Sequence, residues 1–357
     1  MKKQKMPAIM ASIGMLILIL DTKTAVYAVG RGIDLCLTVL VPSLFPFLFL
    51  SAIITATMLD SQSKIFRPLA SALGIPEGEE TVFFIGLLGG YPVGAQCIAT
   101  SVRNGSISRE NGRRMLSFCS NAGPSFLFGI AGSIFSKKWM CWALWIIHIL
   151  SAIMVSFCIP AANKSKANPV KHKEITLSEA LRKAITTMAT ISGWVILFRV
   201  MLTFIECWIL WRFPVWIQVI INGITELANG CHRLNNITDE KLRFILCSAM
   251  LGFGGLCVTM QTYSVCEGID CSLYLPGKVL QTIFSTLLAS GLISQEMRLP
   301  CILILVIIIG NMRFLQKKIA IHKNQEYNRS KRFRRIHQCF SAKKSNHNVP
   351  IVSIVQP

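Results

Sequence analysis

Long apolar runs separated by short polar or basic connectors set the pattern of this chain. Residues 6–20 are apolar and follow Lys2, Lys3 and Lys5. The run is short for a membrane helix, which needs about 20 mainly apolar residues. With Val26-Tyr27-Ala28 as a cleavage site it has the form of a signal peptide. An uncleaved first span or signal-anchor suits a chain with so many further apolar runs better. Residues 36–59 are long enough to span and hold Pro42 and Pro46, which membrane helices tolerate where neighbours satisfy the freed carbonyl. A polar, Pro-containing loop covers 60–80.

The next runs are punctuated. Residues 81–102 include FIGLLGGYPVGAQCIATSV, and the Gly-Gly-Tyr-Pro step predicts two half-helices meeting in a re-entrant hairpin. Arg103, Arg109, Arg113 and Arg114 form a basic loop after it. Residues 115–135 are broken at Gly123-Pro124, and 139–159 are an ordinary span. After a basic linker at 161–173, an amphipathic segment is expected over 177–188 and a span over 189–210, with Trp208, Trp211 and Trp216 marking an interface. Residues 222–230 read NGITELANG, 242–265 are Gly-broken, and spans are expected at 274–292 and 300–315.

The pattern is doubled. Each half has a smooth helix (42–56; 192–205), a Gly-broken segment (89–96; 252–261) and a further broken or Pro-bounded helix (121–129; 276–285). Similarly placed interruptions in two halves point to a transporter's binding site, although glycine also serves close helix packing. The expected fold is an all-α polytopic membrane protein of about seven to nine membrane segments. Its divisions are 1–32 (N-terminal span and connector), 33–160 (first repeat), 161–185 (basic cytoplasmic linker), 186–316 (second repeat) and 317–357 (basic tail). Basic flanks place the N-terminus, the 103–114 loop and the linker in the cytoplasm, so that 81–102 opens to that side. A basic tail on the same side demands an extra crossing in the second half, for which 211–227 is the candidate.

Composition sharpens this reading. Of 357 residues, 52% are hydrophobic and only 15% charged, and the mean hydropathy is +0.53. A soluble domain carries about 25% charged residues, so a soluble globule, a disordered chain and a secreted disulfide scaffold are all excluded. The net charge is +20, and residues 313–344 hold eleven Lys/Arg against Glu326 alone. Such a tail suits a cytoplasmic terminus near anionic lipid; without a binding fold it does not indicate nucleic acid. Many of the 13 cysteines lie inside apolar runs and none forms a C-x-x-C, so they read as small hydrophobes rather than metal ligands.

Enzyme motifs are missing: there is no H-E-x-x-H, G-x-S-x-G, Walker loop or G-x-G-x-x-G after a strand. No catalytic residue, cofactor or metal is expected, and His148 reads as a packed, neutral histidine. Arg199, within WVILFRVMLTF, is the exception among apolar positions. A central Arg costs roughly 3 kcal/mol on insertion scales, which implies a partner, a cavity or a solute. Glu206 is seven residues on, too far for a relaxed direct pair. Glu226, in TELANG, suits a cation, a proton or Arg199, or else a solvated helix end. Exposed backbone at Gly89-Gly90 and Gly254-Gly255, with Tyr91, Gln96 and Asn121, completes a candidate site for a small polar, anionic solute.

Several motifs carry a family resemblance. PSLFPF at 42–47, GGYPVGA at 89–95, Asn-Gly-x-Ile at 104–107, FCSNAGPSFLFG at 118–129, SGWVILFR at 192–199, ELANG at 226–230 and LGFGGLCV at 251–258 resemble the sporulation integral membrane protein family YlbJ/SpoVV, of the Gate-domain or nucleoside-recognition superfamily. The resemblance spans roughly residues 25–295 and implies two Gate-like repeats. It also implies a place in the mother-cell-derived outer forespore membrane and a role in moving dipicolinic acid toward the spore. Arg199 and half-helix N-termini would meet its carboxylates. Another solute, a nucleoside or a peptidoglycan-related anion, and a non-transport scaffold are the competing readings; a homo-oligomer or sporulation partner proteins are compatible with each.

Overall fold

The structure is a computed structural model that describes residues 2–58, 65–129, 131–160 and 175–311. One compact unit covers Met1–Val306; a second, Ile307–Pro357, is described only over residues 307–311, which are helical. The tail at 317–357 and the linker at 161–173 lie outside the described residues. All regular structure among the described residues is helical.

Two long helices organise the first unit. Helix α1 is Lys2–Leu20 and α2 is Thr22–Leu35, started by the Asp21 side chain, which accepts from the Thr24 N–H. Helix α2 runs through a single π-helical turn, Cys36–Leu40, into α3, Val41–Met58. The membrane-length stretch is therefore Thr22–Ile54, beginning well before the expected residue 36. The wide turn falls just ahead of Pro42 and Pro46, whose rings and missing N–H groups disfavour regular α geometry there. Its counterpart, α10, is Leu177–Trp208. The amphipathic segment and the span expected there are one 32-residue helix. A capping box between Thr176 and Glu179 starts it, and no proline interrupts it. Gly32 lies against Ile196 and Arg199, and the Cys36 thiol donates toward the Ser192 carbonyl. Phe45 and Phe49 line one groove with Leu177 and Leu181. The long helices are therefore antiparallel.

Between and after them the same order of elements occurs twice. In the first half α4, Arg67–Ala72, precedes a hairpin of half-helices, α5 (Thr81–Gly89) and α6 (Val93–Arg103). A broken helix follows, α7 (Arg109–Cys119) and α8 (Pro124–Gly129), then a full helix, α9 (Lys138–Cys158). In the second half the hairpin is α11 (Val215–Thr225) and α12 (Leu227–Arg233). The broken helix is α13 (Glu240–Phe253) and α14 (Gly255–Val265), and the full helix is α15 (Tyr274–Ile293). The break at Gly90-Tyr91 thus corresponds to that at Glu226, and the break at 120–123 to that at Gly254. The expected pairing, 89–96 with 252–261, is displaced by one element, because TELANG carries a hairpin break without a Gly-Gly or a proline to announce it.

The two halves are oppositely oriented. Arg103, at the end of α6, donates to the carbonyls of Val265 and Glu267 at the end of α14, and Arg113, at the start of α7, meets Asp270 at 3.3 Å. The start of α9 lies with the start of α13, where Lys137 pairs with Glu240 at 3.3 Å. So α7–α8 and α13–α14 run in opposite directions between an Arg113 end and a Lys137 end. The α5–α6 hairpin opens at the Arg113 end. The α11–α12 hairpin opens at the Lys137 end, where Arg233 pairs with Glu206 of α10 at 2.6 Å. Residues 211–227 therefore turn back at Glu226 instead of crossing. Helix α16, Arg298–Asn311, follows α15, and its Cys301 lies against Gly291.

By length and composition four stretches among the described residues can cross a membrane: Thr22–Ile54, Lys138–Cys158, Leu177–Trp208 and Glu240–Val265. With the shorter apolar helices Ala8–Leu20, Val215–Thr225 and Arg298–Asn311, they make an all-α polytopic membrane protein.

Candidate functional site

The four breaks meet. Gly90 has φ 73° and ψ −168°, a region open essentially only to glycine, and a Cβ there would lie 2.8 Å from the Gly123 nitrogen. The first hairpin tip thus rests on the first broken helix, backbone against backbone. The second half repeats the contact: Gly255 has φ 85°, and a Cβ on it would lie 3.2 Å from the Leu227 nitrogen. Across the approximate two-fold, the Tyr91 ring lies over Gly254, and its hydroxyl points to the Leu251 carbonyl at 3.5 Å. A cavity of about 40 Å³ sits at this junction, lined by Gly90, Tyr91, Gly123, Glu226, Leu227 and Gln261 among others. That is room for a few waters, far below the roughly 300 Å³ and more of a small-molecule pocket. A larger vestibule of about 430 Å³ opens toward the Lys137 end, with Thr38, Ser43, Ser133, Ala228, His232 and Asn235 on its walls.

Glu226 is buried at this junction. It ends α11 in extended geometry and caps α12, accepting from the Ala228 N–H at 3.0 Å, the Asn229 N–H at 2.7 Å and the Asn229 side chain at 2.7 Å. The Asn229 side-chain oxygen in turn accepts from Arg199 at 3.2 Å. Arg199 also approaches Glu206 at 3.9 Å, the pair that sequence spacing made strained, and Glu206 is held more closely by Arg233. Arg199 is thus one member of an ion-pair network on α10 and does not line the central cavity. Gln96 and Gly89 stand apart from it too: Gln96 lines a void of about 10 Å³ with Ser51 and Thr187, and Gly89 packs on Val93.

Asn121 belongs to a buried polar cluster that sequence reading missed. Helix α15 closes on α7 because Gly277 has no side chain; a Cβ would come within 2.5 Å of Ser117. The approach carries Lys278, 0% exposed, to the end of α7, where its ammonium donates to the Ser120 carbonyl and, at 2.8 Å, to Gln281 Oε1. Gln281 Nε2 donates to Asn121 Oδ1 at 3.0 Å, and Asn121 donates to the Phe118 carbonyl at 2.8 Å. His148 joins as a packed, neutral ring, its Nε2 accepting from the Ala122 N–H at 2.9 Å. The signal was present: a lysine followed three residues later by a glutamine, inside the apolar run after Pro276-Gly277.

Discontinuous helices from two oppositely oriented halves, meeting at a buried junction, define an all-α polytopic membrane protein with interrupted helices. The chain is similar to the sporulation integral membrane protein YlbJ of Bacillus subtilis (strain 168), 21% identical over 302 residues, which are 71% of this chain and 74% of that protein. The family resemblance read from the motifs is thus found across most of both chains. No protein-family model and no solved structure matches the chain.

Proposed function

We propose that this protein is a permease for a small anionic solute, and that the solute is dipicolinic acid, carried across the outer forespore membrane during sporulation. The observation that carries the reading is the convergence of four chain breaks, two from each oppositely oriented half, on one buried junction beneath a vestibule. Regular helices would satisfy their own backbone at far lower cost. Breaks at membrane depth leave N–H and C=O groups for a solute.

The similarity to a sporulation membrane protein supports the setting. Orientation follows from charge. Arg103, Arg109 and Arg113 stand at the end from which the lysine-bearing 161–173 linker leaves α9 and enters α10. Positive-inside bias assigns that end to the cytoplasm, here the mother cell's. The vestibule then faces the space between the forespore membranes. Exposed Trp208, Trp211 and Trp216 mark the interface there.

Deletion of the gene in the source organism, followed by separate measurement of dipicolinate in mother cell and spore, tests the reading. Dipicolinate retained in the mother cell, with little in the spore, is the expected result. Normal spore dipicolinate would overturn it, and a defect limited to nucleoside uptake would reassign the solute.

A further inference from the structure

Lys278 has no acidic partner among the described residues. Among the described residues no carboxylate lies within ion-pair distance of its ammonium, which is fully buried at the level of the chain breaks. An ammonium offers three donors. Two go to neutral acceptors, the Ser120 carbonyl and Gln281 Oε1. Two aromatic faces also lie near it, Tyr91 with its ring centre at 5.1 Å and Tyr274 at 5.7 Å. Tyr91 also walls the central cavity, so one phenol ring stands between the cavity and the buried charge.

The other charges near the junction are already matched. Glu226 is satisfied by three N–H donors and, through Asn229, by Arg199, which itself approaches Glu206. The basic group at the centre that has no carboxylate beside it among the described residues is therefore the lysine. A ring face is a weaker partner for an ammonium than a carboxylate, whose charge-assisted hydrogen bond is strongest away from water. The cavity also needs to enlarge before any organic anion fits, and Tyr91, whose ring lies over side-chain-free Gly254, is the aromatic part of its wall.

We propose that Lys278 is the cation that receives a carboxylate of the transported solute, and that Tyr91, now stacked between it and the cavity, is the side chain that gives way. The proposal rests on the permease reading and names the residue that makes the path selective for anions.

Full-length protein in proteoliposomes tests it, with pyridine-2,6-dicarboxylate as the probe. Uptake, and the rise in melting temperature that the probe causes, are measured for wild type, Lys278→Arg, Lys278→Met and Lys278→Gln. The glutamine variant keeps a donor for the Ser120 carbonyl. Both neutral variants are expected to insert normally, to lose about 100-fold in uptake, as truncation of a buried charge partner does, and to lose the probe-induced stabilisation. Lys278→Arg should retain measurable uptake with a raised KM. Uptake by either neutral variant within threefold of wild type overturns the proposal. So does failure of both to insert, since the lysine is then a folding charge. Absence of uptake by wild type sinks the permease reading itself and is distinguished by that control.

Discussion

The Ser101 hydroxyl donates to the Glu79 carboxyl at 2.8 Å. One residue precedes α5 and the other lies near the end of α6, so a side-chain bond joins the two legs of the hairpin at its mouth. The peptide between them has entered the protein and returned to the same end. Single cysteines replacing Ala72 and Asn104, in a cysteine-depleted background, should therefore react with an impermeant reagent from one side, and a cysteine at Asn235 only from the other. Labelling of Ala72→Cys and Asn104→Cys from opposite sides would make 81–103 a crossing.

Glu79 also carries a pH signature. Burial, opposed by the Ser101 bond and reinforced by neighbouring Glu80, raises its carboxyl from 4.5 to about 7. The folded protein therefore holds this proton more tightly than the unfolded chain. Its contribution is fully present below pH 4.5 and is lost as pH rises through about 7. Wild type should lose up to about 3 kcal/mol between those limits relative to Glu79→Gln. Parallel pH profiles of thermal unfolding for the two proteins would refute the assignment.

Gly90 and Gly105 separate backbone strain from contact. Both have positive φ, but a Cβ on Gly105 meets nothing within 4 Å, whereas on Gly90 it meets the Gly123 backbone. Gly105→Ala should cost about 1–2 kcal/mol and leave uptake intact. Gly90→Ala, which also forces the hairpin tip off the broken helix, should cost more and abolish uptake. Equal melting temperatures and equal uptake for the two variants would show that the junction tolerates separation.

Arg114 is a clamp. Its guanidinium donates to four carbonyls, those of Leu73 (2.8 Å), Gly74 (3.1 Å), Ser156 (2.9 Å) and Ile159 (3.1 Å), and its ring neighbour is Phe118 at 5.0 Å. These bonds hold the connector before α5 against the end of α9. Arg114→Met leaves buried carbonyls unpaired and should destabilise by about 3–5 kcal/mol. Arg114→Lys recovers only part of this, since an ammonium cannot copy the planar fork. Urea unfolding in detergent measures both; a loss under 1 kcal/mol for Arg114→Met refutes the clamp.

Arg199 leaves Glu206 with a second partner, Arg233. Arg199→Met should therefore be milder, about 1–2 kcal/mol, and Glu206→Gln on that background should not add its full single-mutant cost. A double-mutant cycle in thermal unfolding reads the coupling; strict additivity would show that the 3.9 Å approach has no energetic weight.

Much of the fold is legible in the sequence because length and apolarity alone mark membrane helices. The hairpin at 81–102 announces itself through Gly90, Tyr91 and Pro92, since the chain turns at Gly90 in a conformation open essentially only to glycine. The second hairpin does not: Glu226 achieves its break by turning its own carboxylate onto α12, and a lone acid in TELANG has no unique spelling. Arg114 looks like one more loop charge beside Arg113, since exposure depends on whether four distant carbonyls point inward. Lys278 stays hidden for the reverse reason. Its run reads as an ordinary span, and only the close approach at Gly277, a contact between helices 160 residues apart in the chain, turns it into a charge at the centre.

The opposed halves carry a further consequence. Because each half is built from the same series of elements laid in opposite directions, any shape taken by one is available in principle to the other, facing the other way. On the permease reading, the vestibule at the Lys137 end is one of two reciprocal postures. If the halves trade postures, the gap at one end closes as its likeness opens past Gln96 and Thr187 at the Arg113 end, where only about 10 Å³ is empty here. On the permease reading the reciprocal doorway needs no separate design, and a substitution at one of the equivalent breaks, Gly123 or Gly254, would favour one opening over the other.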